Sequence, residues 1–439
     1  MTTEKTKDTA ATPQAGAPPQ RGRHLPRSSE TEAIERARAD MLQQGRITNR
    51  VRIGADALCE ALVHQGVDVI FGYPGGVILP LYDVWADYPE LRTILVRHEQ
   101  GAAHAADGYA RASGRVGVCL GTSGPGATNL VTGIATAQLD SVPMVALTGN
   151  VPGALLGKDA FQEIDISGIT LPMTKHNYLV RDADEIPRVI AEAFHIARTG
   201  RPGPVHVDFT KDALTTETEA GNPTTLNLPG FKPRFDGHPR QVKLAAKAIA
   251  EAERPVILAG HGVLIAEATE ELKTFAHKAQ IPVTWTLLGV GDIDETDPLA
   301  YGYMGMHGWK HVNKAIQSAD LLIALGMRFD DRVTGSVSTY APNAQIIHVD
   351  IDPSEIGKNV AVDIPIVGDV GNVLRAFIKA VPEVDPSTRQ AYFDELAQWR
   401  QESEAISWHG SGGWKQGLLT ADYVMQRLGE MTDHDATVV

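Results

Sequence analysis

The sequence VGVCLGTSGPG at residues 116–126 decides the fold, because an apolar, β-branched run leads there directly into a glycine-rich turn. A segment with helical spacing follows at about residues 127–138, and residues 144–148 form the next apolar run. Strands separated by helices of this length predict βαβ units and a parallel sheet with helices on both faces. Glycine lets the backbone approach a ligand closely, so the turn is also a candidate binding site.

The alternation of strands and helices continues in both directions from this stretch. On the N-terminal side, helical spacing is found at residues 55–65 and 100–113, and strand-like runs at residues 67–71 and 93–96. On the C-terminal side, a helix at residues 186–198 precedes a strand at residues 205–208. A second α/β region has strand-like runs at residues 256–259, 283–285, 321–325 and 346–351. We therefore predict an α/β protein with two successive doubly wound parallel-sheet domains.

Composition marks the expected boundaries of these domains. Residues 1–50 are predicted to be a disordered tail, because bulky aliphatic residues are scarce up to residue 29. An organelle transit peptide is the alternative, but acidic residues and the scarcity of serine argue against it. The first domain would span residues 51–214, and the second would follow a linker at residues 215–239. The second domain is predicted at residues 240–385, and a polar connector at residues 386–419. Residues 420–439 are predicted to be the start of a third domain, the rest of which is missing because the chain is truncated.

Charge and cysteine content exclude several classes of protein. The 439 residues carry a net charge of −14, which disfavours non-specific binding to nucleic acid or to an anionic membrane. Cys59 and Cys119 lie in apolar segments, so we expect buried thiols rather than a disulfide framework or a zinc site. No apolar run approaches the roughly 18 residues that span a bilayer, and no signal-peptide pattern opens the sequence. We expect a cytoplasmic protein without a membrane or nucleic-acid partner.

Glu99 is the first residue with a candidate chemical role. It follows the strand at residues 93–96 and precedes the helix that begins at Gln100. Parallel sheets bind ligands at the carboxyl ends of their strands, which favours a functional carboxylate at this position. A carboxylate in the first turn of a helix also stabilises the helix through its dipole. The residues alone leave both interpretations open.

Three glycine-rich turns follow predicted strands, at residues 72–76, 121–126 and 260–262. None ends in the Gly-Lys-Ser/Thr of a Walker loop. The third turn has the strand–turn–helix context of a dinucleotide site, but Ile265 stands where a third glycine is expected. A simple tight turn is therefore an equal interpretation.

Polar residues follow two further strands in the second region. Arg328 and Arg332 flank Asp330 and Asp331 and could hold phosphate, ribose or carboxylate groups, or could pair with those aspartates instead. Asp350 ends the next strand, where an acidic residue often accepts from a ribose hydroxyl. The loop MGMHG at residues 304–308 could lie against a flat ring, or could be a glycine-rich loop with packed methionines. Together these signals predict a nucleotide-like site in the second half of the chain.

Several motifs, in this order and spacing, resemble the catalytic (large) subunits of acetolactate synthases, within the thiamine diphosphate enzymes. They are FGYPGG at residues 71–76, RHEQGA at 97–102, TSGPGATN at 122–129, DAFQE at 159–163, GRPGP at 200–204 and RFDDRVTG at 328–335. The resemblance runs from about residue 53 to residue 439. It implies a pyrimidine-binding domain followed by a middle domain that binds FAD, and a third domain that would hold the diphosphate and Mg²⁺.

The resemblance also implies an activity and partners. Pyruvate would be decarboxylated on thiamine diphosphate, and the hydroxyethyl carbanion would condense with a second 2-oxoacid, either pyruvate or 2-oxobutyrate. This is the first common step of valine, leucine and isoleucine biosynthesis. The family implies a homodimer or tetramer with its site at the subunit interface and a small regulatory subunit. The alternatives are another thiamine diphosphate carboligase or decarboxylase, of the glyoxylate carboligase or pyruvate oxidase type, or an inactive FAD-binding fragment. Without the third domain, the chain alone would be inactive.

Site residues follow from the resemblance position by position. Glu99 would be the catalytic carboxylate that contacts the aminopyrimidine of thiamine diphosphate. That cofactor would also be lined by Tyr73, Pro74, Gly75, Thr122, Pro125, Asn129 and Gln162. Substrate would meet Phe161, Lys211 and Arg332. FAD would be contacted by Arg201, Gly260, Gly262, Met304, Gly305, Met306, His307, Gly326, Arg328, Asp330, Asp350 and Asp369. No metal ligand is expected in this chain.

Overall fold

The computed structural model describes residues 51–406, 414–415 and 418–436, and divides the chain into two units, Met1–Lys232 and Pro233–Val439. The tail predicted at residues 1–50 and most of the β-like run at residues 436–439 lie outside the described residues. In the first unit, the helices are α1 Gly54–His64, α2 Leu79–Trp85, α3 Glu99–Ser113, α4 Pro125–Thr128, α5 Val131–Leu139, α6 Ile166–Thr170, α7 Ile186–Arg198 and α8 Lys211–Thr215. The strands are β1 Val69–Gly72, β2 Arg92–Leu95, β3 Gly117–Gly121, β4 Met144–Asn150, β5 His176–Val180 and β6 Pro204–Thr210.

The second unit repeats the pattern. Its helices are α9 Pro239–Glu251, α10 Gly262–Ile265, α11 Thr269–Ala279, α12 Lys310–Ser318, α13 Asp331–Thr334, α14 Val370–Ala380, α15 Gln390–Ile406 and α16 Ala421–Met431. Its strands are β7 Pro255–Ala259, β8 Val283–Trp285, β9 Ala300–Tyr303, β10 Leu321–Leu325, β11 Gln345–Asp350 and β12 Ile364–Val367, with a short pair of β13 Trp414–Lys415 and β14 Leu418–Leu419. Short 3₁₀ turns connect several elements in both units, at Gly153–Leu155, Leu171–Met173, Ala183–Glu185, Leu287–Gly289, Val337–Thr339 and Pro386–Arg389.

Each unit is built on one parallel sheet, which confirms the predicted fold class. Among the described residues, the first sheet has the strand order β2-β1-β3-β4-β6-β5 and the second has β12-β11-β10-β7-β8-β9. Neighbouring strands in both sheets are parallel. Two α/β units therefore follow one another along the chain.

Helices cover both faces of each sheet. Val118 and Leu120 of β3 pack into a cluster with α1 and α7, whereas Cys119, between them, packs with α3 and α5. Successive side chains of a strand point to opposite faces, so the two clusters lie on opposite sides of the sheet. Because the central strands are buried on both faces, they appear in the sequence as continuous apolar runs. Cys59 and Cys119 are both buried free thiols, as predicted.

In the two six-stranded sheets, the strands that the sequence did not predict all lie at the edges. These are β5 in the first unit and β9 and β12 in the second. The short pair β13 and β14 was not predicted either. An edge strand has a neighbour on one side only and is often short and partly exposed, so its apolar signal is weak. The sequence HNYLV of β5 illustrates this, since Val180 is its one buried residue.

The segment predicted as a connector, residues 386–419, contains the 17-residue helix α15. Tyr392, Leu396, Trp399 and Ser403 are buried along one face of it, at the spacing of successive helical turns. The remaining described residues of the helix are mostly exposed and polar. This surface dominates the composition and led to the prediction of a polar connector. Arg389, directly before α15, is also buried.

Candidate cofactor sites

Both sheets reverse their strand order once, and each reversal brings two glycine-rich turns together. In the first unit the chain passes from β1 to β2 on one side, and then places β3 on the other side of β1. In the second unit β8 and β9 lie on one side of β7, and β10 lies on the other. Open α/β sheets bind ligands at the carboxyl ends of strands at such switch points. The structure therefore contains two candidate sites, one in each unit.

Glu99 lies at the first switch point. It is the first residue of α3, and its side chain is buried, with 8% of the residue exposed. Nδ2 of Asn129 donates to Oε2 of Glu99 at 2.9 Å. The start of α3 is capped instead by His98, whose Nδ1 accepts from the backbone N–H of Gln100 at 3.1 Å. The carboxyl group is therefore directed at the turn after β3 rather than at its own helix, which favours a functional interpretation over a purely helix-stabilising one.

Glycines around Glu99 leave room that a side chain would fill. A Cβ added at Gly126 would lie 3.2 Å from Oε1 of Glu99 and 2.7 Å from Cγ2 of Thr122. A Cβ added at Gly75 would overlap the Thr122 side chain. The turns after β1 and β3 thus meet at Thr122, and the turn after β3 reaches the carboxyl group through Gly126, a position without a side chain. A flat polar ring could approach Glu99 by this route.

Three hydroxyl groups near this carboxyl have no hydrogen-bond partner among the described residues. They are Oγ1 of Thr122, Oγ of Ser123 and the phenol of Tyr82, and all three are buried. Burial and the negative charge of Glu99 together raise the pKa of Tyr82 to about 12. Buried polar groups are normally paired, so these hydroxyls indicate that a polar ligand completes the site. These observations fit the pyrimidine of thiamine diphosphate.

The other predicted residues of the first unit lie on the turns and on a long segment after β4. Tyr73, Pro74 and Gly75 follow β1, and Pro125 begins α4. Gln162 has a left-handed backbone with φ of 58°. Its carbonyl oxygen would lie 2.6 Å from a Cβ at Gly124, so the long segment touches the turn after β3.

The predicted substrate residue Phe161 lies on the same segment and is 88% exposed. The carboxylate of Glu163 closes the loop around it by accepting from the backbone N–H groups of Gly157, Lys158 and Ala160. These bonds lower the pKa of Glu163. Lys211, exposed at the start of α8, precedes Asp212, whose carboxylate accepts from the N–H of Gly153 at 3.1 Å. The first turn of α8 therefore contacts the base of the segment that carries Phe161.

A buried polar network anchors this segment to the sheet. Oγ1 of Thr148 lies 2.6 Å from Oδ1 of Asp208 and 2.7 Å from Nε2 of His206. Asn150 donates to the other oxygen of Asp208 at 2.6 Å and accepts from the N–H of Val151, where the segment begins. Nδ1 of His206 lies 3.1 Å from Oγ1 of Thr170, where α6 ends the segment. Both ends of the segment are thus held by one network.

Burial changes the titration of this network in opposite directions for its two ionisable groups. It raises the pKa of Asp208 from 3.8 to about 6 and lowers the pKa of His206 from 6.5 to about 3. A neutral His206 that carries its proton on Nε2 accounts for both contacts of Thr148. The Thr148 hydroxyl group then accepts a hydrogen bond from His206 and donates one to Asp208. Sequence reasoning missed this network; the polar residues that alternate with valine in VHVD, residues 205–208, were its signal.

The second switch point is formed by glycines in direct backbone contact. A Cβ added at Gly262 would lie 2.6 Å from Cα of Gly326, and a Cβ at Gly326 would lie 2.5 Å from Cα of Gly262. A Cβ at Gly260 would lie 2.5 Å from Cβ of Met327. Gly326 also has φ of +60°, a conformation that glycine adopts without strain. The turns after β7 and β10 are therefore in direct backbone contact, and no side chain at these positions would keep a ligand from the backbone, which fits a dinucleotide.

All but one of the residues predicted to contact FAD follow the carboxyl ends of strands in this unit. The first group follows β7 and β9, and consists of Gly260, Gly262, Met304, Gly305, Met306 and His307. The second group follows or ends β10, β11 and β12, and consists of Gly326, Arg328, Asp330, Asp350 and Asp369. Because the strands are parallel, these residues share one edge of the sheet. The exception is Arg201, which lies in the first unit before β6 and donates to Oγ of Ser141 at 2.8 Å.

Local hydrogen bonds hold these loops in place. The N–H of Met306 donates to the carbonyl of Arg332 at 2.7 Å, which joins the loop after β9 to α13. Asp330 and Asp369 cap α13 and α14 by accepting from the N–H groups of Arg332 and Asn372. The Arg332 side chain is exposed and lies 3.5 Å from the carboxylate of Asp331. The pairing of arginine with aspartate that the sequence allowed is therefore present between these two residues.

Across residues 51–406, 414–415 and 418–436, no group of three or more His, Cys, Asp or Glu side chains is arranged to hold a metal ion. None of the helices there is both long and apolar enough to cross a bilayer.

Each of the two units matches the model of a known domain family. Residues 52–169 match the model described as "Thiamine pyrophosphate enzyme, N-terminal TPP binding domain", and residues 242–377 match "Thiamine pyrophosphate enzyme, central domain". The chain belongs to the thiamine pyrophosphate enzymes. The N-terminal match includes Glu99 and the turns at the first switch point, and the central match includes the glycine turns at the second.

Within the thiamine pyrophosphate enzymes, the chain is a homologue of acetolactate synthase large subunits. It is 55% identical over 353 residues to the probable acetolactate synthase large subunit of Methanocaldococcus jannaschii, covering 80% of this chain and 60% of that protein. It is 51% identical over 393 residues to the acetolactate synthase of Mycobacterium bovis, covering 88% of this chain and 62% of the relative. It is 48% identical over 386 residues to the acetolactate synthase large subunit of Corynebacterium glutamicum, covering 87% of this chain and 61% of that relative. The chain thus spans about three-fifths of the length of the curated relatives it matches.

Proposed function

We propose that this chain contributes the pyrimidine-binding and FAD-binding parts of an acetolactate synthase catalytic subunit. The identity of about half of the residues to acetolactate synthase large subunits, over most of this chain, carries the proposal. The reaction is the condensation of pyruvate with a second 2-oxoacid, pyruvate or 2-oxobutyrate, after loss of CO₂ from the first. The domains are proposed at residues 51–214 and 240–385.

The residues at the first switch point have distinct roles in this proposal. Thiamine diphosphate, when bound, supplies the electron sink for decarboxylation. Glu99 holds a proton at its carboxyl oxygens and exchanges it with the pyrimidine, while Asn129 fixes the orientation of the carboxyl group. Tyr73, Pro74, Thr122, Pro125 and Gln162 enclose the ring, and burial of the site keeps water away from Glu99. Phe161, Lys211 and Arg332 contact the 2-oxoacids, with Arg332 binding a carboxylate.

The second switch point is proposed to hold FAD, which has a structural role in this family. The turns that contain Gly260, Gly262 and Gly326 allow its phosphates to approach the backbone, because no side chain stands at these positions, and Asp350 accepts from its ribose. Mg²⁺ is proposed to bind through ligands in a further domain, as the resemblance implies. The assembly is proposed as a cytoplasmic homodimer or tetramer with a regulatory subunit, and this chain alone as inactive.

The test is product analysis on the complete assembly purified from its natural source, with all its domains and subunits, supplied with pyruvate, thiamine diphosphate, Mg²⁺ and FAD. The expected product is 2-acetolactate. Acetate would indicate a pyruvate oxidase type of enzyme, and conversion of glyoxylate to tartronate semialdehyde would indicate a carboligase for that substrate. Bound FAD without any product would support the inactive flavin-binding alternative.

A pair of variants tests the role of Glu99 in the same protein. Glu99→Gln should lower kcat by about 10²–10⁴-fold, the range for a lost acid–base group, with FAD still bound. Glu90→Gln is the matched control, because Glu90 is exposed in the same unit and should leave kcat unchanged. A Glu99→Gln variant with unchanged kcat would remove Glu99 from the mechanism.

A further inference from the structure

The long segment between β4 and α6 is anchored at both ends, but its tip is held by a different set of contacts. At the first end, Asn150 accepts from the N–H of Val151 at 2.8 Å. At the other end, Nδ1 of His206 lies 3.1 Å from Oγ1 of Thr170. The tip, residues 157–163, lies between these two anchors and includes Phe161.

The carboxylate of Glu163 holds the tip through backbone amides. Its Oε1 accepts from the N–H of Gly157, and its Oε2 accepts from the N–H groups of Lys158 at 3.3 Å and Ala160 at 2.9 Å. The backbone N–H of Glu163 donates in turn to the carbonyl of Ala160 at 2.9 Å. An ionised carboxylate only accepts hydrogen bonds, so it matches these three donors. One side chain therefore joins the start of the tip to its end.

The backbone of the tip needs this support. Asp159 has φ of 54° and Gln162 has φ of 58°, a left-handed conformation that residues other than glycine rarely adopt. Such a conformation costs free energy and persists only where surrounding contacts hold it. The side chain of Phe161, between these two residues, is exposed and has little packing of its own to fix its direction. The position of the Phe161 ring therefore depends on the backbone that Glu163 holds.

We propose that Glu163 is a positioning residue for the substrate, because it fixes the tip that presents the Phe161 ring to the 2-oxoacid. The inference rests on the proposed function, which assigns Phe161 to the substrate. Glu163 acts through Phe161, since both of its carboxyl oxygens are engaged by amides of the tip. A ring that is fixed before the substrate arrives loses less conformational freedom on binding, which favours the productive complex.

A double-mutant cycle on the complete assembly tests this coupling, with kcat/KM for pyruvate as the readout. Glu163→Gln replaces one acceptor oxygen by an NH₂ group that faces amide donors, and should lower kcat/KM about tenfold. Phe161→Ala should lower it by at least as much. The double variant should lie within about threefold of Phe161→Ala, because the second change then has no ring left to displace.

Hydrogen exchange of the assembly without cofactors gives a readout that does not depend on catalysis. Glu163→Gln should speed the exchange of the amides of Gly157, Lys158 and Ala160 about tenfold and leave that of β4 unchanged. Asp159→Asn is the matched control, because it removes the same charge from an exposed position in the same tip. Asparagine also tolerates the left-handed backbone, so this variant should change neither the exchange nor kcat/KM.

Four outcomes would count against the proposal in different ways. Losses that multiply in the double variant would show that Glu163 acts independently of Phe161. Faster exchange of the tip with unchanged kcat/KM in Glu163→Gln would leave Glu163 a purely structural role. An equal loss of kcat/KM in Asp159→Asn would make the charge of the tip the cause instead of its hydrogen bonds. An unchanged kcat/KM in Phe161→Ala would refute the assignment of Phe161 to the substrate, on which the inference rests.

Discussion

Replacing either ionisable group of the buried network in the first unit should expose a pH dependence of stability that the wild-type pair conceals. Asp208 keeps its proton up to about pH 6 in the folded state, against 3.8 when unfolded. Its contribution to the free energy of unfolding is therefore complete below pH 3.8 and is lost as the pH rises through about 6. At about 1.36 kcal/mol per pH unit, this loss is about 3 kcal/mol.

His206 has the opposite dependence. In the folded state it stays neutral down to about pH 3, whereas the unfolded side chain is protonated below 6.5. Its contribution is present above pH 6.5 and is lost as the pH falls, by about 1.4 kcal/mol per unit. Between pH 4 and pH 6 the two contributions have opposite slopes, so the pair as a whole adds almost no pH dependence there.

The variants Asp208→Asn and His206→Gln separate the two slopes. From pH 4 to pH 6, the stability of Asp208→Asn should rise by about 3 kcal/mol relative to the wild-type protein, because the His206 contribution is then unopposed. The stability of His206→Gln should fall by a similar amount over the same range. Both variants should also be less stable than wild type at every pH, since each disrupts a buried hydrogen-bond network.

Hydrogen exchange of peptides from β4 and β6, corrected for intrinsic rates at pH 4, 5 and 6, reads the stability of this unit. His104→Gln and Asp83→Asn are matched controls, because both residues are exposed in the same unit. Parallel slopes for the wild type and both variants would refute the protonation states that we assign to Asp208 and His206.

Three further substitutions test the two switch points and the segment between β4 and α6. Gly326→Ala should destabilise the second unit by about 2–4 kcal/mol and reduce FAD uptake; Gly357→Ala, also at positive φ but with open space, should cost only about 1 kcal/mol in calorimetry. Glu163→Gln should speed tryptic cleavage of the loop it closes several-fold, and an unchanged rate would contradict the role of its backbone bonds. Asn129→Asp sets a second carboxylate beside Glu99, so the thermal midpoint should fall more at pH 8 than at pH 5, unlike that of Asn129→Ser.

The sequence predicted the secondary structure best for strands that are buried on both faces of their sheet. Strands such as β3 and β10, covered on both faces, appear as uninterrupted apolar runs, and the glycine turns that follow them mark the switch points. Glu99 was identified by its place after a strand, although the direction of its carboxyl group could come only from the structure. Of the four edge strands in the two six-stranded sheets, β2 was predicted, whereas β5, β9 and β12 were missed. An edge strand has a neighbour on one side only, so its apolar signal is often weak.

Other features depend on contacts between distant residues and have no local signal. The helix predicted at about residues 127–138 is divided into α4 and α5 at Asn129 and Leu130, where the side chain of Asn129 donates to Glu99. Asp292 looks like an ordinary loop aspartate in the sequence, and only the fold shows that it is buried. The partners of His206 come from β4 and α6, which a local pattern does not reveal.

The helix α15 determines where this protein can be divided for experiments on its parts. Arg254, next to β7, lies 4.9 Å from the ring of Tyr392 and 5.7 Å from that of Trp399. Arg389 donates to the carbonyls of Ile249, Ala252, Ala279 and Gln280, and so joins the ends of two helices. An expression fragment that stops at residue 385, the boundary suggested by composition, would lose these contacts and expose the apolar surface under α15. A fragment that extends through residue 406 keeps the buried face of α15 packed against the core of the second unit. This is the fragment that should be cloned for crystallisation.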